Sequence, residues 1–186
     1  MNKDFHIVFI DETGFMLNPL VRRSWSPRGH TPVIKVSNSH HDRISVIGAM
    51  TITLETKQFG LLFHLSQDNT NFRGYTIVPF LNRIHNKLHG DIRLVWDSIK
   101  IHSAKPVNNY LAAHPEIRVF FFPEYAPELN PVDNVWGYIK HDRLANFCPH
   151  NLVELRRCVI AELFRVQKMP NLLESLFRHT GLGLDI

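Results

Sequence analysis

The prolines of one turn constrain the fold of this chain more than any other feature. Pro123, Pro127 and Pro131 fix their own φ, and each biases the preceding residue away from helical conformations. Asn130 is therefore predicted to be a helix N-cap, with Pro131 in the first helical position. Asp133 then takes the third position, where the positive end of the helix dipole favours a carboxylate. The sequence predicts a helix with a defined start and a fixed acid.

Two more acids directly follow hydrophobic runs that are typical of buried strands. Residues 6–10 lead into Asp11, and residues 92–96 lead into Asp97. The carboxyl ends of strands in open α/β sheets form the crevice where ligands bind, so acids there converge on one site. One such acid alone is commonly a turn former, and Asp133 alone is commonly part of a helix cap. The three together are typical of a metal site built from carboxylates.

The composition fits a single globular domain over residues 1–186. The chain is 44% hydrophobic and 20% charged, and no linker-like tract divides it. A formal charge of +4 suits a polyanionic partner without demanding one. Cys148 and Cys158 lack the spacing of a zinc ribbon or a disulfide framework, so we expect reduced thiols. No signal peptide and no run near the ~20 apolar residues of a membrane span is evident, so we expect a cytoplasmic protein without membrane contact.

The hydrophobic pattern predicts an α/β layer with a mixed sheet. Strands are predicted over residues 6–10, 44–54, 59–65, 92–96 and 117–122. Helices are predicted over residues 103–113, 130–141, 151–166 and, more weakly, 172–179. A further helix within residues 70–89 either begins near Ile77 or is kinked at Pro79. Strands joined through helices should be parallel, with right-handed crossovers.

The sequence resembles the DDE transposases of bacterial insertion sequences related to mariner elements. The resemblance covers nearly the whole chain and is carried by IDETGF at 10–15, VWDSIKIHSAKPVNNYL at 95–111 and PEYAPELNPVDNVWGYIK at 123–140. The third stretch is the most specific. The resemblance implies a ribonuclease-H-like fold, in which a five-stranded mixed sheet is flanked by helices, and a nucleoid-associated bacterial protein.

The resemblance also implies a triad of catalytic, metal-binding acids: Asp11, Asp97 and Asp133. Asp133 is a departure, because Glu is commoner at the third position in the bacterial branch. Ser98 is another, because many relatives carry Asn there. The adjacent Glu12 and the turn residue Glu128 are expected to point elsewhere.

The implied activity is metal-dependent cleavage of DNA at transposon ends, followed by strand transfer to target DNA. Hard carboxylate ligands favour Mg²⁺ or Mn²⁺, and two ions roughly 3.5 to 4 Å apart stabilise the attacking and leaving oxygens at phosphorus. His102, five residues after Asp97, is expected to join the catalytic groups by orienting water or touching a phosphate. The other histidines lack zinc-type spacing, so no zinc site is predicted.

Basic residues after the first strand are candidates for DNA contact. Arg22, Arg23 and Arg28 suit the phosphate backbone, and Trp25 suits base stacking. Lys140 extends the predicted DNA-binding set. A solvated basic loop is an equally good interpretation of this segment.

Two alternatives remain open from the sequence. One is a catalytically inert transposase fragment that acts only in DNA binding or subunit pairing. The other is a ribonuclease-H-like nuclease on RNA hybrids or junctions, which the Pro-rich turn disfavours. Full-length relatives carry N-terminal helix-turn-helix modules, and we expect this sequence to be a catalytic domain without them. We therefore expect a homodimer or a partner chain that supplies DNA-binding modules.

Overall fold

One mixed sheet of five strands organises the protein. The computed structural model describes residues 4–30, 33, 42–124 and 126–183. The strands are β1 (Phe5–Met16), β2 (Arg43–Thr53), β3 (Gln58–Leu65), β4 (Asp91–Trp96) and β5 (Ile117–Phe121). The helices are α1 (Gly74–Lys87), α2 (Lys105–Ala113), α3 (Pro131–Tyr138), α4 (Leu152–Gln167) and α5 (Pro170–Arg178). None of these helices is long and apolar enough to cross a bilayer.

The strand order is β3-β2-β1-β4-β5. The hairpin of β2 and β3 is antiparallel, as is the pairing of β1 with β2. The pairings of β1 with β4 and of β4 with β5 are parallel, as expected for strands connected through helices. The predicted five-stranded mixed sheet is therefore confirmed.

Helices cover both faces of the sheet and create two cores. On one face, α1 and α2 pack Ile77, Phe80 and Val107 against strand residues such as Val8 and Ile10. On the other face, the core around Phe9 contains residues from α3, α4 and α5. Because neighbouring strand residues face opposite sides, Val8 and Ile10 belong to one core and Phe9 to the other. The alternation of side chains along β1 therefore contributes residues to both cores.

The first strand is longer than the sequence predicted. The hydrophobic run ends at Ile10, where the predicted strand also ends. Instead β1 continues to Met16, because its antiparallel ladder with β2 runs from His6 opposite Thr53 to Met16 opposite Arg43. Phe15 is buried in the core, which holds this extension down. Asp11 consequently lies within a strand and has a fixed direction.

Helix α1 begins at Gly74, three residues before the predicted start near Ile77. Pro79 lies inside the helix, where it has no N–H to donate to the preceding turn. Thr76 supports the helix start, because its hydroxyl accepts a hydrogen bond from the Arg73 amide at 2.8 Å. Burial of the apolar face compensates for the missing bond, since Ile77 and Phe80 are at most 2% exposed.

Helix α3 begins as predicted and ends earlier. Asn130 is the N-cap, and its side chain accepts a hydrogen bond from the Val132 amide. The helix is regular to Tyr138, and a π-helical segment follows over Ile139–Arg143. In this segment the Leu144 amide donates to the Ile139 carbonyl at 2.9 Å. Wider turns of this kind are frequent at functional sites.

Candidate active site

The register of the sheet brings Asp11 and Asp97 level with each other. The parallel ladder of β1 and β4 ends where Phe9 lies opposite Val95. Two residues further along each chain the same register leads to Asp11 and Asp97, and, in addition to burial, the Asp97 charge is close enough to raise the pKa of Asp11. Both acids therefore lie at the carboxyl end of β4, where ligand sites form in sheets of this type.

Three hydrogen bonds fasten α3 and its π-helical extension along β1. The Asn130 Nδ2 donates to the Ile10 carbonyl at 3.3 Å. The Trp136 indole N–H donates to Asp11 Oδ2 at 2.8 Å. The Lys140 ammonium donates to the Thr13 hydroxyl at 2.5 Å. These contacts hold the helix, and Asp133 on its first turn, over the strand that carries Asp11.

Gly48 on β2 leaves room for the Trp136 indole ring. Gly48 lies opposite Asp11 in the ladder of β1 and β2. A Cβ at Gly48 would be 2.5 Å from Trp136 Cη2, closer than real Cβ contacts. Gly48 is thus required by the close approach of the ring, which in turn orients the Asp11 carboxylate.

Asp11 and Asp133 repel each other in a partly buried setting. Burial, followed by the negative charges of Asp133 and Glu12, raises the pKa of Asp11 from 3.8 to about 8. Burial also raises the pKa of Asp133, against the lowering effects of its hydrogen bond with Asp11 and of Lys140. Burial lowers the pKa of Lys140, although both carboxylates oppose that change. A divalent cation bound beside these acids would relieve the repulsion between their carboxylates.

Asp97 is oriented by the residues that follow it. Its Oδ1 lies 2.8 Å from His102 Nδ1 and accepts a longer hydrogen bond, 3.4 Å, from the Ile99 amide. The Asp97 side chain is 44% exposed, so its carboxylate is accessible from solvent. In the described part of the chain, the three carboxylates do not all lie within 4.8 Å of one another.

His102 is buried, which differs from the exposed position expected for a group that touches a phosphate. It is 2% exposed, and its ring stacks on Trp96 at 4.1 Å with an interplanar angle of 3°. Its Nε2 lies 3.0 Å from Glu12 Oε1, and Nδ1 bonds both the side chain and the carbonyl of Asp97. Burial opposes its charged form, but Glu12 and Asp97 raise the pKa of His102.

A cleft of about 380 Å³ opens beside the acids. Its walls come from the carboxyl ends of β4 and β5 and from the Pro-rich turn, and they include Asp11, Asp97, Ser98, Ile99, Phe122, Pro123, Glu124, Ala126, Pro127, Asn130 and Asp133. Tyr125 of that turn lies outside the described residues. All three predicted acids thus line one cleft, and Glu128 is exposed outside it.

The predicted DNA-contact residues fall into two settings. Arg22, Arg23, Trp25 and Arg28 lie on an exposed loop after β1, and the Trp25 side chain is 98% exposed. The Asn146 side chain anchors this loop by accepting a hydrogen bond from the Arg22 amide at 2.8 Å. Lys140 lies instead beside the acids, with its ammonium 5.4 Å from the Phe15 ring centre. It is a neighbour of Asp11 rather than part of the exposed surface.

Sequence reasoning missed three residues that shape the site. Trp136 follows Asp133 by three residues, so both face the same side of α3, and this spacing was the available signal. Glu12 does point to the opposite face from Asp11, as expected, yet it has a specific partner in His102. Gly48 gave no local signal, because its role depends on a helix that is distant in sequence.

Comparisons with known proteins bear on the family and the fold. Residues 6–155 match the family described as DDE superfamily endonuclease. The chain is 25% identical over 140 residues to an uncharacterized 39 kDa protein of insertion element IS630 from Shigella sonnei, covering 75% of this chain and 39% of that protein. The Mos1 mariner paired-end complex with Mg superposes with a TM-score of 0.61 at 15% identity, over 97% of this chain and 57% of that one. The catalytic domain of Mos1 mariner transposase gives 0.54 at 14% identity, over 96% and 84%.

The five-stranded mixed sheet and its similarity to the Mos1 structures define a ribonuclease-H-like fold. The chain belongs to the DDE superfamily endonucleases, and the predicted family resemblance is confirmed. It spans about two fifths of the IS630 protein and less than three fifths of the Mos1 chain in the paired-end complex.

Proposed function

We propose that this chain is a transposase catalytic domain that cleaves DNA and transfers the freed strand end to target DNA. The observation that carries the proposal is the convergence of Asp11, Asp97 and Asp133 on one cleft at the carboxyl end of β4. Membership of the DDE endonucleases supports phosphodiester chemistry. No finding favours the inert fragment or a nuclease on RNA hybrids.

The donor set fits a hard divalent cation. Three carboxylates are hard oxygen ligands, which favour Mg²⁺ or Mn²⁺ over softer metals. Mos1 structures have been determined with Mg and with Mn. We propose that Asp11, Asp97 and Asp133 hold two such ions. When bound, two ions activate the attacking oxygen and stabilise the leaving oxygen of an in-line displacement at phosphorus.

The protein's own residues prepare the acids for this task. Trp136 fixes the rotamer of Asp11 through its indole N–H. Lys140, near both Asp11 and Asp133, offsets their negative charge. The cleft leaves room for a phosphodiester between the acids and the Pro-rich turn. The site is thus arranged for positioning and charge stabilisation, which dominate phosphoryl transfer.

We assign His102 as a positioning residue in this reaction. Both of its nitrogens are engaged, with Asp97 on one side and Glu12 on the other. Burial opposes the imidazolium form, but the acceptors at both nitrogens favour that form and raise the pKa of His102. His102 therefore holds Asp97 in the orientation that faces the cleft, and Glu12 holds the histidine.

DNA is the proposed partner, and the exposed loop supplies its contacts. Arg22, Arg23 and Arg28 suit phosphate contacts, and the nearly fully exposed Trp25 suits stacking on a base. A Mos1 paired-end complex contains the left transposon end. We propose that this chain works with a second copy or with a chain that carries DNA-recognition modules.

The test combines metal titration by calorimetry with nicking of supercoiled plasmid in Mg²⁺ or Mn²⁺. Wild type should bind metal and nick DNA, whereas Asp97→Asn should lose at least ~10³-fold of the nicking rate. Glu128→Gln is the matched control, because this exposed acid lies in the same turn but not in the cleft. Wild type that binds no metal at millimolar concentration and does not nick DNA would support the inert fragment.

A further inference from the structure

A second group of ligand-type side chains lies at the opposite end of the sheet from the acid cleft. His85 is near the end of α1, His114 follows the end of α2, and Glu116 directly precedes β5. Each offers a ligand atom within 4.8 Å of the other two. Among the described residues, no other three His, Cys, Asp or Glu side chains come this close. The acid cleft is about 20 Å away, the length of the six-residue strand β4.

The geometry of this His-His-Glu cluster suits a metal ion. The His85 Nε2 and Glu116 Oε1 form an ion pair at 2.7 Å, which a metal ion bound between the two atoms would replace. The rings of His85 and His114 meet edge to face, with centroids 4.8 Å apart. The His114 Nδ1 donates to the Tyr110 carbonyl at 2.7 Å, which keeps the proton on Nδ1 and leaves the Nε2 lone pair free. Histidines that bind metals are typically oriented by such a bond from the second nitrogen.

The surroundings provide an independent sign of a missing polar neighbour. The Tyr110 ring stacks on His114 at 4.1 Å, and its hydroxyl is buried with no hydrogen-bond partner among the described residues. A buried hydroxyl without a partner is costly, and a water held by a nearby ion is one way to satisfy it. The His85 and Glu116 side chains are 26% and 28% exposed, so an ion from solvent can reach them.

We propose that His85, His114 and Glu116 bind one transition-metal ion of the zinc class, with water at the fourth position. Two imidazoles, a carboxylate and a water are an established zinc donor set, and imidazole ligands disfavour Mg²⁺. The ion would tie α1, α2 and β5 together at the end of the sheet away from the acids. The spacing of histidines along the sequence predicted no zinc site, because only the fold assembles these three elements.

The test is a Zn²⁺ titration of untagged, chelator-treated full chain in excess Mg²⁺, followed by calorimetry and by thermal unfolding. We expect one Zn²⁺ per chain and, at ~100 times Kd, a rise in Tm of about 5 to 10 °C. His114→Ala should weaken Zn²⁺ binding by at least ~100-fold. His150→Ala, outside the cluster, should bind Zn²⁺ like wild type, and so should Asp97→Asn.

The Asp97→Asn variant separates this proposal from the catalytic one, because only the acid cleft is altered. Glu116→Gln serves as a second variant, since it keeps the size of the side chain and removes the charged ligand. Equal Zn²⁺ affinity in wild type, His114→Ala and Glu116→Gln would overturn the proposal. So would wild type that binds no Zn²⁺ when Zn²⁺ is far above the protein concentration.

Discussion

The surroundings of Asp11 strongly disfavour a negative charge on its carboxyl group. It accepts a hydrogen bond from Trp136, faces Asp133 across the seam between α3 and β1, and has Asp97 beside it. Burial and these negative charges raise the pKa of Asp11 to about 8. Without metal, the folded chain therefore keeps a proton near neutral pH that the unfolded chain has already released. Metal binding must displace that proton.

The metal-free protein should lose stability as pH rises from 6 to 8. In this window the unfolded Asp11 is ionised, and the folded Asp11 is still protonated, so removing protons favours unfolding. The free energy of unfolding should fall by about 1 kcal/mol per pH unit relative to Asp11→Asn, which has no proton to lose. Urea unfolding in chelator measures this difference. Saturating Mg²⁺ should remove it, and parallel pH curves for the two proteins would contradict the assignment.

His102 is predicted to act through Asp97 rather than on the substrate. His102→Phe keeps the stacking on Trp96 but removes the hydrogen bonds to Asp97 and Glu12, so nicking should fall by about 10- to 100-fold and require more Mg²⁺. Glu12→Gln still pairs with the ring and should retain most activity. Plasmid nicking across Mg²⁺ concentrations distinguishes these cases. An unchanged Mg²⁺ requirement in His102→Phe would argue against the positioning role.

Among the secondary-structure elements, the contact between α3 and β1 assembles the site. Strand β1 carries Asp11, and α3 carries Asp133 on its first turn. Asn130 and Trp136 join the two elements by hydrogen bonds to consecutive residues of β1. The relative position of the two acids therefore depends on how closely α3 approaches the sheet at Gly48.

Gly48→Ala should disturb the site without touching an acid. The added methyl would lie 2.5 Å from the Trp136 ring, so the ring must move and its bond to Asp11 weakens. We expect a loss of about 1–3 kcal/mol in stability and reduced nicking. Gly137→Ala is the matched control, because nothing lies within 4 Å of its added Cβ, and a helical Ala is favoured over Gly. Urea unfolding of both variants measures the effect, and equal stability would refute it.

Removing the Asn130 N-cap should weaken the packing of α3 against β1. Asn130→Ala loses the bond to the Val132 amide and the bond to the Ile10 carbonyl. Stability should fall by about 1–2 kcal/mol, as for other lost caps, and nicking should fall more than stability alone explains. Asn130→Asp keeps the cap acceptor but not the donor to Ile10, so it should recover part of the stability. A fully wild-type Asn130→Ala would contradict the role of this cap.

Elements with a local cause were predictable from the sequence, and contacts between distant elements were not. The prolines and Asn130 define the start of α3, and the hydrophobic runs before Asp11 and Asp97 define two parallel strands. The extension of β1 to Met16 depends on pairing with β2, which no hydrophobic run signals. The burial of His102 and the need for Gly48 arise from packing against residues far away in sequence.

In the whole molecule, the proposed catalytic cleft and the proposed DNA-contact loop are separate surfaces. The acids line a cleft at the end of β4, whereas Arg22, Arg23, Trp25 and Arg28 extend from the exposed loop after β1. This chain spans less than three fifths of the Mos1 chain in the paired-end complex. Recognition of particular DNA ends is therefore proposed to need more than this domain.

The exposed loop should determine much of the salt dependence of DNA binding. Replacing Arg22, Arg23 and Arg28 with Ala removes up to three phosphate contacts, each worth roughly 0.9 in the slope of log K against log salt for duplex DNA. Arg178→Ala is the control, because Arg178 lies on α5 and pairs with Glu174. Fluorescence anisotropy at several salt concentrations measures the slopes. Identical slopes for wild type and the triple variant would assign this loop to solvation alone.

Anomalous diffraction from crystals of the protein soaked in Mn²⁺ would show directly whether the three acids bind metal. We expect Mn²⁺ peaks in the cleft bounded by Asp11, Asp97 and Asp133, with two peaks once DNA is bound. We also expect Asp97 to keep its contact with His102. Crystals that contain Mn²⁺ elsewhere but none at these acids would show that the cleft is not a metal site.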